Sequence, residues 1–108
     1  MSKRQEYPVL DALPALSAEL VRLFRKAGRE DLASQVPSLR IRSRCDCGDD
    51  FCATVYTGAG QSVDSLDLEP AEGMMVVDLN DDQRIVSVEI LYRDEYRRAI
   101  DVLLPPRR

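Results

Sequence analysis

An α+β fold is predicted by a change of hydrophobic period along the chain. Residues 13–36 carry apolar side chains at helical spacing. Residues 39–92 alternate, or run apolar over short segments between turn residues, and residues 94–104 return to helical spacing. Runs of one element type followed by another place helices on one face of an antiparallel sheet. The expected architecture is an N-terminal helical hairpin, a four- or five-stranded antiparallel meander sheet and a C-terminal helix packed on one face. At 108 residues and 44% hydrophobic, the chain suits a single domain with a small core. Residues 1–12 are expected to be a loosely ordered arm.

The first helix is expected from Leu13 to Gly28, with Leu16, Leu20, Leu23, Phe24 and Ala27 on one face. Pro14 suits its first turn, and Gly28 is a natural stop. A shorter helix follows from Arg29 to Gln35, with Leu32 and Val36 inward and Pro37 closing it. Leu39, Ile41, Ser43, Cys45 and Cys47 then alternate with Arg40, Arg42, Arg44 and Asp46, which predicts a strand with one buried face. Phe51 to Thr57 returns as a second strand, and Val63 to Leu68 is a short edge strand. Met74 to Leu79 and Ile85 to Tyr92 flank the turn Asn80-Asp81-Asp82-Gln83, with Val86, Val88, Ile90 and Tyr92 sharing one face. Asp94 is expected to cap a last helix whose Tyr96, Ile100, Leu103 and Leu104 face inward.

The chain contains no His and three Cys. Histidine-dependent nucleophile systems, His-ligated metals and imidazole pH switches are therefore unavailable within it. No other catalytic constellation is legible, and the expected function is non-enzymatic. Asp78 and Glu89 are carboxylates in no pocket-forming motif. The net charge of −4 argues against a dedicated nucleic-acid binder. Apolar runs are too short to span a membrane, and the N-terminus lacks an apolar signal core. With an odd cysteine count, these features give an expectation of a cytoplasmic protein.

Cys45-Asp46-Cys47-Gly48-Asp49-Asp50-Phe51-Cys52 is the most distinctive string. Cys45 and Cys47 would share a strand face, and Cys52 would return opposite them. Three readings are open. The thiols can hold zinc, with Asp46, Asp49, Asp50 or water as a fourth ligand. They can form a redox-responsive switch. They can also simply pack as small hydrophobes around the Gly48 turn. Cys-x-Cys with one further Cys and no His is a weaker zinc pattern than paired Cys-x-x-Cys knuckles, and the acidic neighbours disfavour a thiolate nucleophile.

Asp78 to Glu89 meets the spacing of a calcium loop at several positions. Gln83 stands where that loop needs Gly, however, and the flanks are strand-like rather than helical, so the segment reads as a hairpin with an Asp/Asn-rich turn. The charge is unevenly spread: residues 58–83 hold seven acidic groups and no basic one. Of these, Asp64, Asp67, Glu69, Glu72, Asp81 and Asp82 are candidates for contact with a basic protein partner. They can also serve as a solvated edge that resists aggregation. Arg40, Arg42 and Arg44 are expected to pair across the sheet with Glu89 and Asp78, on a face that also carries Met74 and Leu91.

The chain resembles a recurrent group of small bacterial proteins of unknown function. The resemblance rests on Gly28-x-Glu30-x-Leu32-Ala33, Leu39-x-Ile41, Arg44-Cys45-x-Cys47-Gly48-Asp49-x-Phe51-Cys52, and Gly73-Met74 leading to Ile85-Val86-x-Val88-Glu89-Ile90-Leu91. It implies the same fold and a bacterial, cytosolic setting, and it carries no activity, cofactor or site. The expected function is a protein–protein interaction module of immunity or antitoxin type using the acidic segment and a sheet face. The alternative is a zinc-binding or redox-responsive thiol protein through Cys45, Cys47 and Cys52.

Overall fold

The computed structural model describes residues 8–45, 47, 49, 51–58 and 60–104. Helix α1 spans Pro14–Lys26 and the one-turn α2 spans Glu30–Ala33. The strands are β1 Ser43–Arg44, β2 Val55–Tyr56, β3 Asp64–Leu68, β4 Met74–Leu79 and β5 Ile85–Leu91, and α3 spans Asp94–Leu103. Short 3-10 turns at Leu10–Ala12 and Val36–Ser38 precede α1 and β1. The class is α+β, with N-terminal helices, five antiparallel strands and a C-terminal helix. No helix among the described residues is long and apolar enough to cross a membrane.

Leu16, Leu20, Leu23 and Phe24 bury one side of α1, while Ala27 is exposed at its end. Gly28, at φ +74°, stops the helix by letting the Arg29 N–H reach back to the Phe24 carbonyl at 2.8 Å. The segment around Leu10 is packed rather than loose. The Leu10 N–H donates to the Leu39 carbonyl at 2.8 Å and its side chain is fully buried, a contribution on the order of 2 kcal/mol. Residues 1–7 of the expected arm lie outside the described residues.

The strand order is β1-β2-β5-β4-β3, which corrects the simple meander. β3, β4 and β5 do form a meander, but β2 pairs with the far edge of β5, so β2 to β5 make a Greek key. The physical reason is burial. β5, Ile85-Val86-Ser87-Val88-Glu89-Ile90-Leu91, is the most apolar strand and gains a partner on both sides. The polar β3, Asp64-Ser65-Leu66-Asp67-Leu68, takes the edge, where charge protects against further pairing.

A bulge re-aims β5. Asp78 pairs with Ser87, whereas Leu79 pairs with Ile85, leaving Val86 out of register. Ile85, Val88 and Ile90 therefore join Met75, Val77 and Leu79 in the core, and Val86 does not. The Val86 carbonyl instead accepts the N–H groups of Thr57 and Gly58 at 2.9 and 3.2 Å. Tyr92, expected on the core face, is 61% exposed. Its φ of +63° ends the strand, and its ring stacks on Phe51 at a centroid distance of 5.1 Å.

Arg93 fastens the helices to the sheet. Its guanidinium grips both Glu19 carboxylate oxygens at 2.9 Å, donates to Glu95 Oε2 at 2.8 and 2.9 Å, and reaches the Glu72 carbonyl at 3.2 Å. It also lies 4.6 Å from the centre of the Tyr96 ring, while the Tyr96 hydroxyl bonds Glu19. Asp94, expected as the cap of α3, sits inside its first turn. Arg93 holds the cap position without a side-chain cap bond, because its side chain is committed to this network.

Burial alone would raise the Glu19 pKa, but the hydrogen bonds from Arg93 and Tyr96 outweigh it and hold the carboxyl below its ordinary value. The stability this group contributes is present above the unfolded pKa of about 4.3 and is lost as pH falls through the lower folded value. Glu19→Gln leaves the nearly buried Arg93 charge with Glu95 as its remaining carboxylate, and should cost about 3 kcal/mol in urea denaturation at pH 7. The deficit should shrink in acid, and a deficit independent of pH would show that charge is not the cause.

Candidate metal centre

The regular pairing of β1 ends at Arg44, earlier than alternation predicts. Ile41 and Leu39 are buried, but Arg42 and Ser43 are both exposed, so the face alternation slips before Arg44. Arg44 lies opposite Val55, and its guanidinium donates to Asp101 Oδ1 and, at 3.1 Å, to the Leu104 carbonyl. The expected pairing of Arg44 with Glu89 and Asp78 is thus replaced by an ion pair to α3. Arg40 and Arg42 line a cavity with Arg84, apart from Glu89.

Beyond Arg44 the chain turns. Cys45 donates its N–H to the Thr54 carbonyl at 2.9 Å, and Cys52 donates its N–H to the Asp49 carbonyl at 3.2 Å. Cys52 also bridges to Leu91 at the end of β5. The three sulfur atoms of Cys45, Cys47 and Cys52 all lie within 4.8 Å of one another. They converge because the loop wraps back on itself, and not because Cys45 and Cys47 share a strand. Among the described residues no carboxylate joins that cluster. Asp46, Gly48 and Asp50 lie outside the described residues, and Asp49 is exposed.

The thiols open on a cavity of about 250 Å³ on the sheet face away from the helices, which Tyr56, Asp78 and Glu89 also line. Burial opposes ionisation of Cys52, but hydrogen bonds from the Thr54 side chain and backbone and from the two other thiols outweigh it and lower its pKa. Cys52 Sγ is 3.5 Å from Thr54 Oγ1. The Asp49 backbone favours a Cys47 thiolate, yet hydrogen bonding with Cys45 and Cys52, followed by burial and the Cys52 charge, pushes Cys47 up to about 11. A negative charge is therefore favoured at Cys52, while Cys47 beside it holds its proton.

Glu89 was placed on the outer face by strand alternation, and it is exposed there. Hydrogen bonding with Asp78, then burial, then the charges of Asp78 and Asp67 push its pKa up to about 7. Asp78 also accepts the Ser87 hydroxyl at 2.7 Å. Tyr56 and Thr54 are neighbours of the thiols that the sequence did not single out, and it gave no reason to place Glu89 beside the thiols. Their shared face follows only once β2 is known to pair with β5.

The acidic candidates are not gathered at one point. Asp64, beside the end of β4, Asp67 and then Glu69 run along the β3 edge; Glu72 lies in the β3–β4 turn, and Asp81 and Asp82 in the β4–β5 turn. All six are exposed. In the β4–β5 turn, Asn80 Oδ1 accepts the N–H groups of Asp82 and Arg84 at 2.9 and 3.0 Å, which is the work of a turn residue.

The folded protein retains the Glu89 proton over a range of pH, from about 4.3 to 7, in which the unfolded chain releases it. Stability from this group therefore falls as pH rises through that window. Glu89→Gln should be more stable than the parent protein in urea at pH 8 and indistinguishable from it at pH 4. Parallel pH profiles for the two proteins would remove the carboxyl pair as the cause. No family model, no curated protein and no solved structure matches the chain, so its function rests on this geometry.

Proposed function

We propose that Cys45, Cys47 and Cys52 form a thiolate site for zinc, and that the chain is a small metal-binding protein. The supporting observation is the convergence of three sulfurs within 4.8 Å. Sulfurs bound tetrahedrally to zinc at about 2.3 Å stand about 3.8 Å apart, so closure by about 1 Å would supply three of the four ligands. Three Cys without His suit a thiophilic ion rather than calcium or magnesium. The thiols share their cavity with Tyr56 and Glu89, so water or a hairpin side chain would supply the fourth ligand.

Protein purified without chelator should carry about one zinc per chain by elemental analysis. Cys52→Ser and Cys45→Ser should each abolish it. Because bound thiolates release protons, affinity should weaken by about tenfold per pH unit for each thiol still protonated. A metal ratio near zero, with melting unchanged by zinc or by chelator, would overturn the assignment.

A second reading is a non-enzymatic module that docks a basic protein, as an immunity or antitoxin-type inhibitor would. It is supported by the outer sheet face that the helices leave uncovered, where Met74 is 51% exposed and pairs with half-buried Leu91. Replacing Asp64, Asp67, Asp81 and Asp82 by Asn should then abolish partner capture while leaving zinc content intact. Unchanged capture would reduce the acidic groups to edge protection.

A further inference from the structure

Building on the zinc reading above, we propose that Glu89 is the fourth ligand, so that the ion is held in a closed shell of three sulfurs and one carboxylate that ties the cysteine turn to β5. Strand register places the residue. Val55 stands opposite Val88 and Cys52 opposite Leu91, which puts Thr54 opposite Glu89. Arg44 stands opposite Val55, and the Cys45 N–H donates to the Thr54 carbonyl at 2.9 Å, which puts Cys45 on the other side of Thr54. Cys45, Thr54 and Glu89 therefore form one row across the sheet, and Cys52 is a diagonal neighbour of Glu89. Val55 and Val88 fill the core, so Thr54 and Glu89 belong to the outer face with the thiols.

Diagonal neighbours on paired strands have β-carbons about 7–8 Å apart, within reach of a long side chain. Thr54 is short, and its hydroxyl is committed: it lies 3.5 Å from Cys52 Sγ and accepts the Ile90 N–H at 3.3 Å. The space it leaves belongs to the cavity that the thiols and Glu89 share. Bonds of about 2.3 Å to sulfur and about 2.1 Å to a carboxylate oxygen close the shell from both sides of that row. The Glu89 carboxyl is hydrogen-bonded with Asp78, on its opposite diagonal, rather than joined to the sulfurs. Glu89 is exposed, so rotation about its own side-chain bonds exchanges Asp78 for an ion without repacking the core. Asp78 itself is one strand farther from the thiols and is tied to the Ser87 hydroxyl at 2.7 Å. Asp49, Asp78, Glu89 and the thiols line the cavity, and among the described residues no basic side chain does. A divalent cation supplies the charge that this lining lacks. Four protein ligands mark a site that holds its ion rather than one that presents it to a substrate.

Zinc affinity, measured in slightly alkaline buffer by competition with a chromophoric chelator, tests the assignment. Glu89→Gln should weaken binding by about tenfold or more. Asp78→Asn removes an equal charge from the same cavity and Asp49→Asn removes another, yet both should bind zinc as the parent protein does. Glu89→His should keep the metal, and X-ray absorption of its zinc-loaded form should show three sulfurs and one imidazole nitrogen. Circular dichroism of each variant establishes that it is folded. Glu89 is overturned as a ligand if Glu89→Gln binds as tightly as the parent, if Asp78→Asn or Asp49→Asn loses as much as Glu89→Gln, or if no imidazole reaches the metal in Glu89→His. Those outcomes leave the three-thiol site standing, whereas a parent protein that takes up no zinc overturns both.

Discussion

The Arg93 guanidinium is the constraint on which the arrangement of layers depends. It leaves the end of β5 and reaches Glu19 on α1, Glu95 on α3 and the Glu72 carbonyl in the β3–β4 turn. A side chain with five N–H donors in a fixed plane can satisfy these acceptors together only if both helices stand at set positions over the sheet. Gly73 belongs to the same junction. At φ +71°, a β-carbon there would come within 2.5 Å of the Leu91 carbonyl and 2.8 Å of the Arg93 side chain. Close backbone approach on one side and a bidentate ion pair on the other hold the C-terminal end of β5, from which Tyr92 turns outward to stack on Phe51.

With that end fixed, the two faces of the sheet divide the chemistry. The inner face is filled by Met75, Val77, Leu79, Ile85, Val88 and Ile90 against α1, α2 and α3. Buried polar groups there would need partners that an apolar core does not supply. The outer face therefore carries Ser87, Glu89, Asp78 and the approach to the thiols. The bulge at Val86 lets β5 serve both demands. Without it, Ile85 would point with Ser87 and Glu89, and the strand would present an apolar residue to water at one end.

Features that depend on local sequence were legible, and features that depend on partners distant in sequence were not. Leu16, Leu20, Leu23 and Phe24 announce α1 by spacing alone, and Gly28 announces its end, because both effects act within a turn or two. The strands β3, β4 and β5 were placed within a residue or two of their ends for the same reason. The pairing of β2 with β5 was not legible, since Thr57 to Val63 carries no signal for which edge the chain reaches. Arg44 could be read only as one of an alternating stripe, yet its partner, Asp101, is 57 residues away. Gln83 reads locally as a defective calcium position, but its side-chain oxygen accepts from Arg29 and its backbone carbonyl from Gln35, 54 and 48 residues away. The thiols were legible as a cluster because eight consecutive residues contain all three.

The cysteine hairpin is held unequally, which bears on how the proposed zinc site would close. Cys52 is buried, bridged to Leu91 and hydrogen-bonded beside Thr54, whose hydroxyl also accepts the Ile90 N–H at 3.3 Å. Cys45 is held by one backbone bond just beyond Arg44, and Cys47 is exposed. Cys52, the thiol bridged to β5, is also the one with the lowered pKa, so in the proposed site it would be the point of first attachment. In the proposed zinc site the closure of about 1 Å would fall to the Cys45–Cys47 side, where Cys45 is half-buried and Cys47 exposed. Motion of Cys52 would disturb its pairing with β5, next to the Arg93 junction. Cys47 is exposed, so in the proposed site it would be the ligand whose adjustment disturbs the sheet least.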